Sequence, residues 1–244
     1  MAKITARNVK LFGGGRNLSG RANSSTLSLT AESSDVSAYG TDTRERLHDG
    51  LLDYELSVAG WMDVSACQVD ELFSDLLGAS ARWGYYPGGA TACLAGKEMN
   101  AVCGDYSSEG AVEGAAAFSA TLSGSSALFD VTSLASSTVQ VVGSSNLGSV
   151  DFAAACSHTI WSFFRVETIA GSTPEIAACI QESTDDSSFT TLNVFTAAST
   201  ANQVFAASAA SSARYRRARV SLAASPNGVV SPCATFQISS GSAK

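Results

Sequence analysis

Histidine and proline are scarce in this 244-residue chain, at two and four residues. With only His48 and His158 available there are few ways to build a Ser-His-Asp relay, and no G-x-S-x-G elbow supplies a nucleophile. The six cysteines (Cys67, Cys93, Cys103, Cys156, Cys179 and Cys233) include no C-x-x-C pair, and neither histidine lies near a cysteine pair. That spacing argues against a zinc site. Their flanks, as in AACIQ and AVCGD, are small or apolar. Buried, reduced thiols acting as small hydrophobes are expected, with a Cys93–Cys103 disulfide as the alternative.

Long apolar runs are missing too. No stretch approaches the roughly 20 residues needed to cross a bilayer. The opening MAKITARNVKLFGGGR has basic residues with no apolar run behind them, so a secretory signal is not expected. Charged residues make up 15%, acids outnumber bases 22 to 15, and the formal net charge is −7. Such a chain lacks the cationic excess that grips nucleic acid through its phosphates, but like charge can let a polyanion slide past.

Nucleotide loops also fail on inspection. GGGRNLSG has Leu18 where the last glycine of a dinucleotide fingerprint would fall. AGKE has Thr91 for the first glycine of a phosphate loop and Glu98 for its Ser or Thr. Asp185 and Asp186 adjoin in TDDSS, which reads as a turn, because no further acids follow at calcium-ligand spacing. The residues therefore predict no catalytic group, no metal and no cofactor, and a protein that is not an enzyme.

What is present is alternation. In DGLLDYELSVAGWMD, Tyr54, Leu56, Val58, Gly60 and Met62 share one parity, while Asp53, Glu55, Ser57, Ala59 and Trp61 share the other. That pattern predicts a strand with one face on a core. STLSLTAES, with Leu27, Leu29 and Ala31, predicts another. Before it KLFGGGRNLSGRANS reads as a loop, and between the two strands SAYGTDTRERLHDG reads as a long polar connection. Loops longer than a hairpin needs usually carry function. In CQVDELFSDLLG, Val69, Leu72, Phe73, Leu76 and Leu77 recur at helical spacing, with acids at the start and Gly78 just past the end. Strand-like runs follow in ARWGYYPGG, KEMNAVCGDYSSEG and EGAAAFSATLSG.

SSALFDVTSLASSTVQVVGSSNLGS is rich in Ser and Gly, loses periodicity and predicts a boundary region. Beyond it come short strands: TIWSFFRVETI, EIAACIQES, FTTLNVF, ARYRRARVSLAAS and SPCATFQISS. Evenly spaced short strands with turn chemistry between them predict a β-sandwich without helices. In RYRRAR, Tyr215, Arg217 and Arg219 share a face opposite Ala218, Val220 and Leu222. A solvated face that discourages edge pairing is expected there, with a polyanion patch as the alternative. Trp61, Trp83 and Trp161 sit in strand patterns and are expected to pack in a core or an interface.

The ordered series VKLFGGGRNLSGRANSSTLSLTAES, TDTRERLHDG, DYELSVAGWMD, VDELFSDLLG and EGAAAFSATL resembles the tail tube (major tail) proteins of long-tailed bacteriophages, over about residues 1 to 135. The second half, through IQESTDDSSFTTL and RYRRARVSL, is similar to immunoglobulin-like sandwiches appended to virion proteins, as in lambda-type major tail proteins. The resemblance implies an all-β fold with one short helix: a tail-tube β-sandwich or barrel at 1–137, a linker at 138–150 and an immunoglobulin-like outer domain at 151–244. It implies hexameric rings, stacked into a tube through which genomic DNA leaves without specific binding. The partners would be the chain itself and other phage tail proteins, with no membrane, in a virion tail assembled in the host cytoplasm.

On that reading Asp53 and Glu55 are candidates for the channel lining. The loops at 13–22 and 40–50, with Arg16, Asn17, Arg21, Asp42, Arg44, Glu45 and Arg46, are candidates for ring stacking. The alternatives are a cell-surface or secreted β-sandwich adhesin that binds carbohydrate, or another virion part such as a capsid decoration protein.

Overall fold

The computed structural model of the chain describes residues 8–32, 34–35, 46–47, 52–63, 69–110, 115–140, 143–153, 158–170, 175–223 and 233–243. In chain order the first strands are β1 (Lys10–Gly13), β2 (Arg16–Asn17), β3 (Ala22–Ala31), β4 (Ser34–Asp35), β5 (Arg46–Leu47) and β6 (Leu52–Trp61). The helix α1 (Val69–Leu76) follows, then β7 (Ser80–Tyr86), β8 (Ala95–Glu109) and β9 (Ala117–Val139). The remainder is β10 (Gly143–Asn146), β11 (Val150–Asp151), β12 (His158–Ala170), β13 (Glu175–Ser183), β14 (Thr190–Val194), β15 (Gln203–Ser211), β16 (Tyr215–Ala223) and β17 (Cys233–Ala243). The fold is all-β with one short helix, as the alternation predicts.

Two compact units share the chain. One comprises residues 1–19, 82–99 and 127–244; the other comprises 20–81 and 100–126, so β7, β8 and β9 each give residues to both. The units interleave along the sequence, and their limits fall elsewhere than at 137 and 151.

In the larger unit the strand order β15-β12-β17-β9-β8-β7-β1-β2 forms one sheet, and β10-β16-β13-β14 another, with β11 also on β16. Phe164, Val166, Phe236 and Ile238 from the first sheet meet Ile176, Ile180, Ala218, Val220 and Leu222 from the second in a closed apolar core. Sheet on sheet over such a core is a β-sandwich. A second cluster, Phe12, Tyr86, Ala90, Phe129, Val131 and Phe163, lies on the other face of the first sheet.

That second cluster explains why SSALFDVTSLASSTV shows no rhythm. The stretch read as a boundary region is the second part of β9, paired with β17 from Phe129 to Val139. Phe129 and Val131 face one core, Leu134 and Ala135 face the other, and a register shift between Ile238 and Ser239 places Leu134 in a bulge. A bulge resets parity, and burial on both faces removes alternation. The linker expected at 138–150 likewise includes β10, which pairs with Leu222–Arg219 of β16.

Two more expectations are corrected. The loop expected at 13–22 begins as a tight hairpin: β1 and β2 pair Phe12 with Asn17 and Gly13 with Arg16, around Gly14 and Gly15. Both turn glycines have positive φ, 53° and 86°, which a two-residue type I′ hairpin turn requires. Also, β15 carries no strand signal in TANQVFAASAAS, where alanine and serine dominate and leave too little hydrophobic contrast.

In the smaller unit β6 lies between β3 and the first part of β9. Helix α1 buries Val69, Leu72 and Phe73, and Gly78 closes it with φ 74°, as the acids and glycine predict. Phe73 stacks on Tyr106 at 5.4 Å between ring centroids and leans on Phe118 at 5.4 Å. The Tyr106 hydroxyl donates to Asp70 Oδ1 at 2.8 Å, fixing the helix start to β8. Burial, and then the Asp70 carboxylate, push the Tyr106 phenol well above its ordinary range. The expected helix stripe is interrupted at Leu77, which is 54% exposed.

Candidate assembly surface

The β3–β6–β9 sheet has two unlike faces, set by strand parity. Register places Leu27, Leu56 and Leu122 in one row, and Ser25, Val58 and Ala120 in another. On β6, Tyr54, Leu56, Val58 and Gly60 are buried, as their spacing predicts. Each fully buried leucine or valine contributes roughly 1.5–3 kcal/mol. The Tyr54 hydroxyl lies 2.7 Å from both the Asn100 and the Ser126 carbonyl oxygens, which share its one proton. Its ring occupies the place where a Cβ on Gly124 would stand, 2.6 Å away.

The opposite face is polar over Asp53, Glu55 and Ser57, with Ala59 and Trp61 toward the end of β6. Asp53 is in register with Thr30, Glu55 with Ser28 and Ser123, and Ser57 with Thr26 and Thr121. Ser28, Thr30, Asp53 and Glu55 line a shallow depression on this face. Ser57 Oγ donates to Glu55 Oε1 at 3.4 Å. Among the described residues neither Asp53 nor Glu55 forms an ion pair, so two carboxylates stand unneutralised in a field of hydroxyls.

The rim of this sheet is the second feature. Among the described residues β3 pairs only with β6, leaving its other edge open. Its sequence, ANSSTLSLTA, contains no charge and no proline. Leu29, on the core-side parity, is 43% exposed. Natural edges are usually blunted by lysine, proline or shortness. This one has a single bulge between Ala22 and Ser24.

The stacking candidates scatter. Asn17 Nδ2 donates to Glu167 Oε2 at 2.8 Å, and Arg16 shares the same short strand in the larger unit. In the smaller unit, Arg21 pairs with Asp63 at 2.6 Å. Arg46 opposes Asp35 in the β4–β5 ribbon. Asp42, Arg44 and Glu45 lie outside the described residues.

Cys93, Cys103, Cys179 and Cys233 are free thiols, so the Cys93–Cys103 disulfide is absent; Cys93 is exposed, not buried. Cys67 and Cys156 lie outside the described residues. Trp83 is buried, whereas Trp61 is half exposed on the polar face of β6. The RYRRAR strand is not an edge: β16 runs between β13 and the β10–β11 pair, so edge protection is not its task. Arg216, on the parity of Ala218, is buried, with its guanidinium 4.3 Å from the Phe152 ring centroid. Arg214 Nε and Nη2 donate to both Asp151 carboxylate oxygens at 2.6 Å, which lowers the Asp151 pKa.

One polar cluster was not legible in the sequence. In the larger unit Arg165 Nη1 and Nη2 donate to Glu98 Oε1 and Oε2 at 2.5 and 2.6 Å, and Tyr86 and Gln237 close the group. All four are wholly buried. Burial alone would lower the Arg165 pKa, and the Glu98 carboxylate more than offsets that. Burial, then the Glu98 charge, push the Tyr86 phenol far above its ordinary range. With no opening to solvent, the cluster holds strands together and offers no surface to a substrate. Its signal in sequence is Arg165 itself, a charge on the same parity as Phe163 inside SFFRV.

No protein-family model matches the chain, and no curated protein matches it. Among solved structures, a chain from the tail of an empty gene transfer agent particle with C6 symmetry is 18% identical, covering 52% of this chain and 97% of its own, with a TM-score of 0.43. A chain of a native gene transfer agent virion is 16% identical over the same shares, also at 0.43. The Dit protein of phage SPP1, a hub of an adsorption apparatus, is 9% identical, covering 95% of this chain and 98% of its own, with a TM-score of 0.37. At these scores the likenesses establish neither a shared family nor a shared activity.

Proposed function

We propose that this chain is a structural subunit of a long-tailed phage tail, which closes with copies of itself into hexameric rings that stack into a tube. The observation that carries this reading is β3, a ten-residue strand without charge or proline whose outer edge is open among the described residues. An isolated subunit with such an edge is prone to pair with another chain. A heterologous contact that closes by rotation satisfies every copy's edge at once and makes a ring.

The two-faced sheet fits the same arrangement. On its apolar face Phe73 of α1 packs against Phe118, and its polar face is free to line a channel. Asp53 and Glu55 then face the lumen, where carboxylates and hydroxyls let DNA slide instead of adhering. Arg16, Asn17, Arg21 and Arg46, with the 40–50 segment that holds Asp42, Arg44 and Glu45, contact the next ring. Residues 151–244 face outward, and other tail proteins cap the tube.

Negative-stain electron microscopy of the concentrated protein tests this reading. Tubes or six-fold rings are expected. Dispersed single subunits under every assembly condition would overturn it.

A further inference from the structure

The outer face of the five-stranded sheet carries two arginines, Arg217 and Arg219, that no carboxylate among the described residues answers. Arg217 and Arg219 stand two residues apart on one face of β16. Register sets Arg217 opposite Gln181, and Arg219 between Cys179 of β13 and Asn146 of β10. Arg217 is held in place: its Nε donates to Gln181 Oε1 at 2.9 Å, and its guanidinium lies 3.9 Å from the Phe189 ring centroid. Arg219 is exposed. Among the described residues neither forms an ion pair, whereas Arg21, Lys97, Arg165 and Arg214 each meet an acid.

We propose that this face binds an acidic polysaccharide, with Arg217 and Arg219 gripping the carboxylates of its uronic-acid residues. A guanidinium presents a planar fork that matches a carboxylate with two parallel hydrogen bonds. Arg217, oriented by Gln181 and Phe189, loses little side-chain freedom on binding. Asn146 beside Arg219, and Ser144 opposite Ser221, add amide and hydroxyl groups on the same face for sugar hydroxyls. Nucleic acid fits less well. Arg217 already covers the Phe189 ring, so that ring offers no platform for a base. This inference does not rest on ring assembly.

Affinity electrophoresis of the full chain through gels containing polygalacturonate tests it. Retarded migration is expected, weakening as salt rises, with no retardation by neutral dextran. Arg217→Gln and Arg219→Gln should each weaken binding about tenfold or more, and the double variant should abolish it. Thermal melts run alongside should show each variant folded, since neither guanidinium is buried. No retardation by polygalacturonate, unchanged binding by the folded double variant, or tighter binding to single-stranded DNA would each overturn the proposal. Tube formation by the double variant should be normal, which separates this result from the assembly reading.

Discussion

Arg165 meets Glu98 fork to fork inside the larger unit, with both carboxylate oxygens engaged and neither side chain open to solvent. Gly84 makes room for the pair, because a Cβ there would stand 2.9 Å from Arg165 Nη1 and from Glu98 Oε1. A paired buried charge is tolerated, and an orphaned one is costly. Arg165→Met should therefore lose about 3–5 kcal/mol in urea unfolding, since it leaves the Glu98 carboxylate buried without a counter-charge. Adding Glu98→Gln should return part of that loss, since the amide keeps a partner for Tyr86 and removes the orphaned charge. A stability change for Glu98→Gln that is the same in the native chain and in Arg165→Met would show that the two residues are not coupled.

Gly96 tests how tightly β8 is packed. A Cβ at this position would lie 2.2 Å from the Tyr86 ring, which is wholly buried and hydrogen-bonded to Glu98 and Ser239. Gly96→Ala should cost about 1–3 kcal/mol by overpacking. Gly20→Ala, where nothing lies within 4 Å of the added carbon, is the control and should change stability little. Denaturation midpoints of the two variants, measured side by side, decide this.

Strands with one wet face were legible from alternation, and those with two dry faces were not. On β6, Tyr54, Leu56 and Val58 fall inside and Asp53 and Glu55 outside, as their spacing requires. In β12, Phe163 and Arg165 enter one set of contacts and Phe164 and Val166 another, so consecutive residues are all buried and period two disappears. The second part of β9 adds a bulge at Leu134, and there the signal vanishes altogether. The helix could be read because Asp70, Glu71 and Gly78 mark its ends. The Glu98–Arg165 pair joins positions 67 apart, and no local pattern encodes that distance. The polar face was likewise legible residue by residue, but the open edge of β3 depends on which strands pair, which topology alone decides.

Asp185 gives a pH dependence whose sign can be worked out. Its carboxylate accepts from the Ser187 and Ser188 backbone amides at 3.0 Å and from Ser183 Oγ at 2.7 Å. Those donors, the Ser188 amide foremost, hold its pKa well below the ordinary carboxylate range. A depressed folded pKa means stabilisation that is full above the unfolded value, near 3.9, and lost as pH falls through the folded one. The stability difference between the native chain and Asp185→Ala should stay constant from about pH 5 to 8 and shrink below about pH 4. A difference that grows on acidification would show that the turn does not favour the charged form.

The lumen assignment predicts what happens when its charge is reversed. Asp53 and Glu55 are exposed and unpaired among the described residues, so lysines can replace them with little effect on the fold, within about 0.5 kcal/mol. Tubes of Asp53→Lys/Glu55→Lys should retain short duplex DNA at low salt and release it as salt rises, because each new cation neutralises a phosphate. Native tubes should retain none. Co-sedimentation with labelled DNA reads this directly, and equal retention by both kinds of tube would place the two carboxylates away from the channel.

The edge of β3 gives the sharpest test, because one charge can block pairing without touching the core. Thr26 is exposed in the middle of the strand, opposite Ser57, on the polar face. Thr26→Lys introduces the residue that natural edge strands use to repel partners. The isolated subunit should keep its stability within about 0.5 kcal/mol, since no buried contact is lost. Assembly should fail: sedimentation velocity should show single subunits at concentrations where the native chain forms rings or tubes. Thr26→Val, a β-branched residue of similar shape and no charge, should leave assembly intact. If the lysine variant assembles as well as the native chain, the open edge of β3 is not the contact that closes the ring, and the closing surface must be sought elsewhere on the subunit.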